Sequence, residues 1–161
     1  KKKKIRVRWY GDQNKLINPI LEIKSKKGFE TKKETHQINE LNDLKFNDYE
    51  NLDLIKNTVN LKYKTKIIIY PILTTNYDRQ YFISNNGLIR ATVDYNLKST
   101  YIKNLSQINI IKNFSSSCIL EIKYPTSLDK YVRKNLGEMT LRLSRNSKFI
   151  NSAFNTPNYF S

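Results

Sequence analysis

Charged residues set two apart between aliphatics recur along this chain: Ile5-Arg6-Val7-Arg8-Trp9, Leu21-Glu22-Ile23-Lys24, Ile89-Arg90-Ala91-Thr92-Val93-Asp94 and Leu120-Glu121-Ile122-Lys123-Tyr124. Successive side chains of a strand point to opposite sides, so each segment predicts a strand with one apolar face and one ionic face. Several such faces brought together make a cationic lining for a polyanion. A sheet with one solvated face shows the same alternation, and the pattern alone does not tell inward charge from outward charge. Lys4, Arg6 and Arg8 line up without a neutralising partner. At an effective dielectric of ~20 and ~6 Å separation two like charges repel by roughly 3 kcal/mol, and a bound polyphosphate reverses that sign.

The balance of 29 Lys plus Arg against 14 Asp plus Glu, a formal net charge of +15, points to an acidic partner: nucleic acid, an anionic membrane or a phosphorylated molecule. Abundant Asn, Ile and Lys also fit an AT-rich genome, which inflates Lys without functional demand. Arginine discriminates better. Only Arg6, Arg8, Arg79, Arg90, Arg133, Arg142 and Arg145 occur, and four of them sit in or beside the strand motifs, where a guanidinium suits bidentate phosphate capture. Cys118 stands alone, so neither an intrachain disulfide nor a cysteine zinc cluster can form, and His36 alone in a polar stretch reads as a solvated residue. No apolar run approaches the ~20 residues of a membrane span, and Lys1 to Lys4 lead straight into a strand, so the chain reads as soluble.

Along the chain, strands are predicted near 3–10 and 20–27, with a turn at Lys27-Gly28 into an extended stretch near 29–36 that returns as a hairpin. From 41 to 64, Leu44, Leu52, Ile55 and Val59 suit one or two short surface helices covering an apolar side. Residues 66–84 read as extended, broken by Pro71, and Asn85-Asn86-Gly87 is a tight-turn signal into 88–97, so Arg79 and Arg90 are expected on paired strands. Ser115 to Tyr124 is a further strand stopped by Pro125. An amphipathic helix follows, with Thr126 or Ser127 as N-cap, Leu128, Tyr131, Val132 and Leu136 on one face and Gly137 just past its end. The last segment, 140–154, carries Arg142, Arg145 and Lys148, and its second half fits either strand or helix.

The run Ile5 to Gly11, then Leu21-Glu22-Ile23-Lys24, Arg79-Gln80-Tyr81-Phe82, Gly87 to Asp94, Leu120 to Pro125 and Ser147-Lys148-Phe149 resembles, in order, the motifs of the vacuolar transporter chaperone (VTC) domain. The resemblance implies an α+β triphosphate tunnel fold, an antiparallel β-barrel related to the CYTH phosphatases, with peripheral helices and a lumen lined by Arg and Lys. It implies that Arg6, Arg8, Lys24, Arg79, Arg90, Lys123 and Lys148 bind phosphate, with Arg6, Arg8, Lys24 and Arg90 catalytic. Glu121 is the implied ligand of a divalent metal, Mn2+ or Mg2+, and Glu22 a weaker second. ATP would donate its terminal phosphoryl group to a growing inorganic polyphosphate chain. Such transfer rests on positioned cations and a metal rather than on a protein nucleophile.

Relatives place a further basic strand before the segment matching 1–10, so residues 1–161 read as one tunnel domain lacking its N-terminal strands. A noncatalytic polyphosphate-binding subunit and a tunnel triphosphatase are the alternatives. Nucleic acid is not expected as a partner, because Trp9 falls on the face opposite Arg6 and Arg8. Membrane-embedded or regulatory subunits outside this chain are possible partners, and a cytoplasmic location, at the cytosolic face of a membrane, is the expectation.

Overall fold

The alternating segments become strands, and their apolar halves decide which side is buried. The computed structural model describes residues 2–12, 14–28, 30–46, 49–64, 67–104, 107–111, 118–139, 144 and 147–154. The chain is mixed α+β and divides into two compact units: Lys1–Ile72 with Ile102–Ile108, and Leu73–Tyr101 with Asn109–Ser161.

In the first unit, β1 (Lys2–Arg8), β2 (Ile20–Lys27) and β3 (Glu30–Gln37) form an antiparallel sheet in that order. Gly28, at φ +61°, makes the β2–β3 turn, a left-handed conformation that costs other residues strain. Helix α1 (Tyr49–Tyr63) is a single 15-residue helix where one or two short ones were expected. Its Leu52, Ile55 and Val59 recur at helical spacing and are buried with Leu16, Leu21, Ile23, Ile38, Leu41, Phe46 and Ile102. Burying each such side chain contributes about 1.5–3 kcal/mol. Ile5 and Val7 pack on this core, and Trp9 joins it by stacking on Phe46 at 5.8 Å between ring centroids.

In the second unit, β4 (Leu73–Ile83) pairs antiparallel with β5 (Arg90–Asn104), which is bordered by β6 (Gln107–Ile111) and, along 90–94, by antiparallel β7 (Ile119–Lys123). Residues 84–89 close the hairpin: Gly87 donates its N–H to Ser84 O at 2.8 Å and carries φ +73°. The register slips between Asn76 and Asp78, where β5 holds an extra residue and Asn96 takes φ +53°. This bulge shifts the side-chain phase of β5, so that Ser99 and Asp94, five positions apart, share one side. Helix α3 (Lys148–Phe154) lies there, with Ser152 and Ser99 hydroxyls 2.6 Å apart.

Helix α2 (Asp129–Glu138) departs from expectation at both ends. Thr126 and Ser127 lie in a preceding 3-10 turn that makes no side-chain cap, and Gly137 stays within the helix. Of the expected apolar face only Val132 is buried, while Tyr131 is exposed. Residues 115–117 of the strand expected over Ser115 to Tyr124, and Arg142 and Arg145 in the final segment, lie outside the described residues. The end of that segment, left open between strand and helix, is helical as α3. Among the described residues the strands form two sheets, and no closed barrel is found.

Candidate functional site

Residues directly opposite one another in an antiparallel pair project to the same side, so the registers place the ionic side chains in rows. Across β1, β2 and β3 the rows are Lys4, Lys24 and Lys33, then Arg6, Glu22 and Thr35, then Arg8, Ile20 and Gln37. This side faces away from the core formed by Leu21 and Ile23. Glu22, fully buried, is its centre. Arg6 Nε donates to Glu22 Oε2 at 2.6 Å, and Arg8 Nη1 and Lys33 Nζ stand 3.2 Å and 2.9 Å from Oε1. Burial by itself would raise the Glu22 carboxyl, but the Lys33 ammonium beside it, then Arg6 and Arg8, outweigh burial and hold it down at about 2. The expectation that Arg6 and Arg8 lack a neutralising partner is therefore corrected: the partner is on the neighbouring strand. Lys24, between two other lysines, makes no ion pair among the described residues.

In the second unit the rows across β4, β5 and β7 are Ile83, Arg90 and Lys123, then Tyr81, Thr92 and Glu121, then Arg79, Asp94 and Ile119. The expected pairing of the strands of Arg79 and Arg90 is present, although the two residues are not opposite each other. Asp94 is 1% exposed. Arg79 grips it with Nε and Nη2 at 2.5 and 2.7 Å, and Lys148 reaches it from α3. Burial would raise the Asp94 carboxyl, yet Arg79 and Lys148 together hold it below its ordinary value. Arg79 is pushed up in turn, first by its hydrogen bond to Asp94. The Tyr77 ring lies 5.2 Å from the Arg79 guanidinium and 4.7 Å from Lys148 Nζ, and Tyr81 lies 5.8 Å from Arg79. Lys123 pairs with Glu121 at 3.1 Å.

The seven expected phosphate-binding cations thus fall into two sets, Arg6, Arg8 and Lys24 in the first unit and Arg79, Arg90, Lys123 and Lys148 in the second. Among the described residues three buried side-chain polar atoms lack a well-directed hydrogen bond: Arg8 Nε, Glu22 Oε1, held by ion pairs instead, and Thr92 Oγ1. All three lie on these two ionic faces, where an oxygen-rich ligand can receive the two donors. Lys33 and Asp94 were not singled out from sequence. Lys33 sits in a polar strand without aliphatic alternation, and Asp94 read as one more polar position. Exposed aromatics do accompany the cations, since Tyr10 lies 5.1 Å from Arg8 and Tyr81 beside Arg79, which the position of Trp9 alone had not suggested.

Of the two carboxylates read as metal ligands, Glu121 is 47% exposed and held by one lysine, whereas the oxygens of Glu22 are enclosed by three cations. A divalent cation commonly takes one or two carboxylates and fills its remaining positions with phosphate and water oxygens, and Glu121 fits that requirement. Among the described residues no group of three or more His, Cys, Asp or Glu converges, and no helix is long and apolar enough to cross a membrane.

A family model described as VTC domain matches residues 1–154. Comparison with curated proteins and with solved structures gives no match.

Proposed function

This chain belongs to the VTC domain family, and on that premise we propose that it binds inorganic polyphosphate through its two cationic faces and extends it with phosphoryl groups from ATP. The family carries a polyphosphate-related function. The observation that supports polyphosphate as the ligand is the cross-strand stacking of like charges: Lys4, Lys24 and Lys33 in one row, and Arg90 opposite Lys123 in another. Like charges directly opposite one another destabilise a sheet; Glu22 and Glu121 offset Lys33 and Lys123 in part, and a polyanion laid across the rows offsets the repulsion that remains.

In this reading Arg6, Arg8, Lys24, Arg79, Arg90, Lys123 and Lys148 donate to phosphate oxygens, and Arg90 and Lys123 hold the reacting phosphates in line. Transfer breaks the bond between the terminal phosphorus and its bridging oxygen in ATP, forms a new phosphoanhydride with the polymer end, and releases ADP. A divalent cation on Glu121 would supply charge neutralisation on the phosphates. The residues of the chain bind, orient and screen charge, and none acts as a nucleophile. The closed barrel implied by the resemblance belongs to this proposal as well.

Incubation of the chain with ATP and Mn2+ or Mg2+, followed by gel detection of polyphosphate, tests the reading. Polymer growth supports it. Polyphosphate binding without growth replaces it with a noncatalytic accessory role, and release of orthophosphate from triphosphate without polymer replaces it with a hydrolase.

A further inference from the structure

Among the described residues Glu22 and Asp94 are the only buried charged side chains; Asp94 is held by Arg79 and Lys148 and Glu22 by Arg6 and Arg8, all assigned to phosphate by the functional reading, with Lys33 as a third cation on Glu22. Stability alone explains such an arrangement poorly, because a buried ionic group can often be replaced by apolar residues without loss. Asp94 shows what the arrangement achieves. It takes Nε and Nη2 of Arg79 side-on, one N–H from each, so that the remaining guanidinium N–H groups are shared between the Tyr81 side chain and a further acceptor. It also holds Lys148, so that a cation from β4 and one from α3 share a carboxylate and the face of Tyr77. Two positive charges against one negative leave this cluster cationic.

We propose that Asp94 is a positioning residue that fixes Arg79 and Lys148 as a preformed phosphate-binding pair, and that Glu22 does the same for Arg6, Arg8 and Lys33. This rests on the polyphosphate reading above. Long cationic side chains lose rotamer freedom on binding, roughly 0.5–1.5 kcal/mol each, and a carboxylate that already holds them removes that cost. Lys33, held by Glu22 in the row of Lys4 and Lys24, joins the binding set.

The sign of one substitution tests the proposal. Asp94→Asn adds a unit of positive charge to the site, so simple electrostatics predicts tighter polyphosphate binding, whereas loss of positioning predicts weaker binding. Binding of inorganic polyphosphate to the full chain is measured by titration calorimetry at a temperature where circular dichroism shows each protein folded. Asp94→Asn and Glu22→Gln should each weaken binding roughly tenfold, the scale of lost supporting interactions around a binding group, and Asp94→Glu should recover part of it. Equal or tighter binding by both neutral variants overturns the proposal.

If Asp94→Asn does not fold, Asp94→Asn with Lys148→Met carries the test: binding weaker than that of Lys148→Met alone supports positioning of Arg79, and equal or tighter binding overturns it. Arg90→Ala, measured alongside, separates the two levels. A wild-type chain that does not bind, or an Arg90→Ala variant that binds as well as wild type, ends the polyphosphate reading and this proposal with it. Loss in Arg90→Ala with no loss in Asp94→Asn or Glu22→Gln ends only the positioning role.

Discussion

Arg90 on β5 and Lys123 on β7 stand directly opposite each other, two cations forced together by strand register. A stability-driven sheet gains nothing from this pair; Glu121, 3.1 Å from Lys123, offsets part of the repulsion and an anion laid across both side chains offsets the rest. Arg90→Ala or Lys123→Ala should therefore lower polyphosphate affinity at least tenfold, the scale of one or two lost charge-assisted hydrogen bonds, while leaving thermal stability unchanged or slightly higher. Lys130→Ala on α2, exposed and away from the rows, should alter neither. Equal losses in all three variants, read by calorimetry, would indicate a diffuse basic surface.

Glu22 makes stability depend on acid. Its carboxyl is held at about 2 when folded, against an ordinary 4.5, so the folded state binds the proton less readily than the unfolded chain. A depressed carboxylate contributes stability that is complete above the unfolded value and is lost as pH falls through the window from about 4.5 to 2. The full contribution is on the order of 3 kcal/mol. Urea unfolding at stepped pH should show this loss, and in Glu22→Gln that part of the acid sensitivity should disappear.

Glu121→Gln separates the metal from the polymer. It should abolish or strongly weaken the dependence of polyphosphate synthesis on added Mn2+ or Mg2+, with binding of polyphosphate retained. The neighbouring Lys123 loses its 3.1 Å carboxylate partner but keeps its charge for phosphate. An unaltered metal titration would remove Glu121 from that role.

Leu21→Ala probes the opposite side of the same strand. Leu21 is fully buried and adjacent in sequence to Glu22, so truncation leaves a cavity and should cost about 2–5 kcal/mol in chemical denaturation. Polyphosphate affinity of the folded variant should stay near wild type. A large loss of affinity would show that the core and ionic sides of β2 are not independent.

The period-two pattern made β1, β2, β5 and β7 legible, β4 was read as part of an extended stretch, and the hairpin at Gly28 and the turn at Asn85-Asn86-Gly87 followed from local chemistry. The cationic rows were legible as single strands, but their partners were not, because register is a tertiary property. Nothing near Arg6 in sequence says that Glu22 will face it, and Lys33 lies in a strand so polar that no alternation marks its side. Asp94 was hidden differently. Strict alternation separates it from Ser99, and only the extra residue near Asn96 brings both beneath α3. The start of α2 was misplaced because a Thr or Ser after Pro125 satisfies the pattern of a cap, whereas the backbone there first winds into a 3-10 turn.

The single surplus residue at Asn96 gives β5 a reading frame. Most substitutions along this strand would alter one side chain, and deleting the surplus residue would leave Asp94 and Ser99 four positions apart and still on one side, but a one-residue insertion or deletion elsewhere between them would turn one arm of the strand over relative to the other. Homologues that carry a gap at the kink itself should keep the floor beneath the last helix, whereas those with a gap elsewhere between Asp94 and Ser99 should be expected to have rebuilt it, however closely the remaining letters agree.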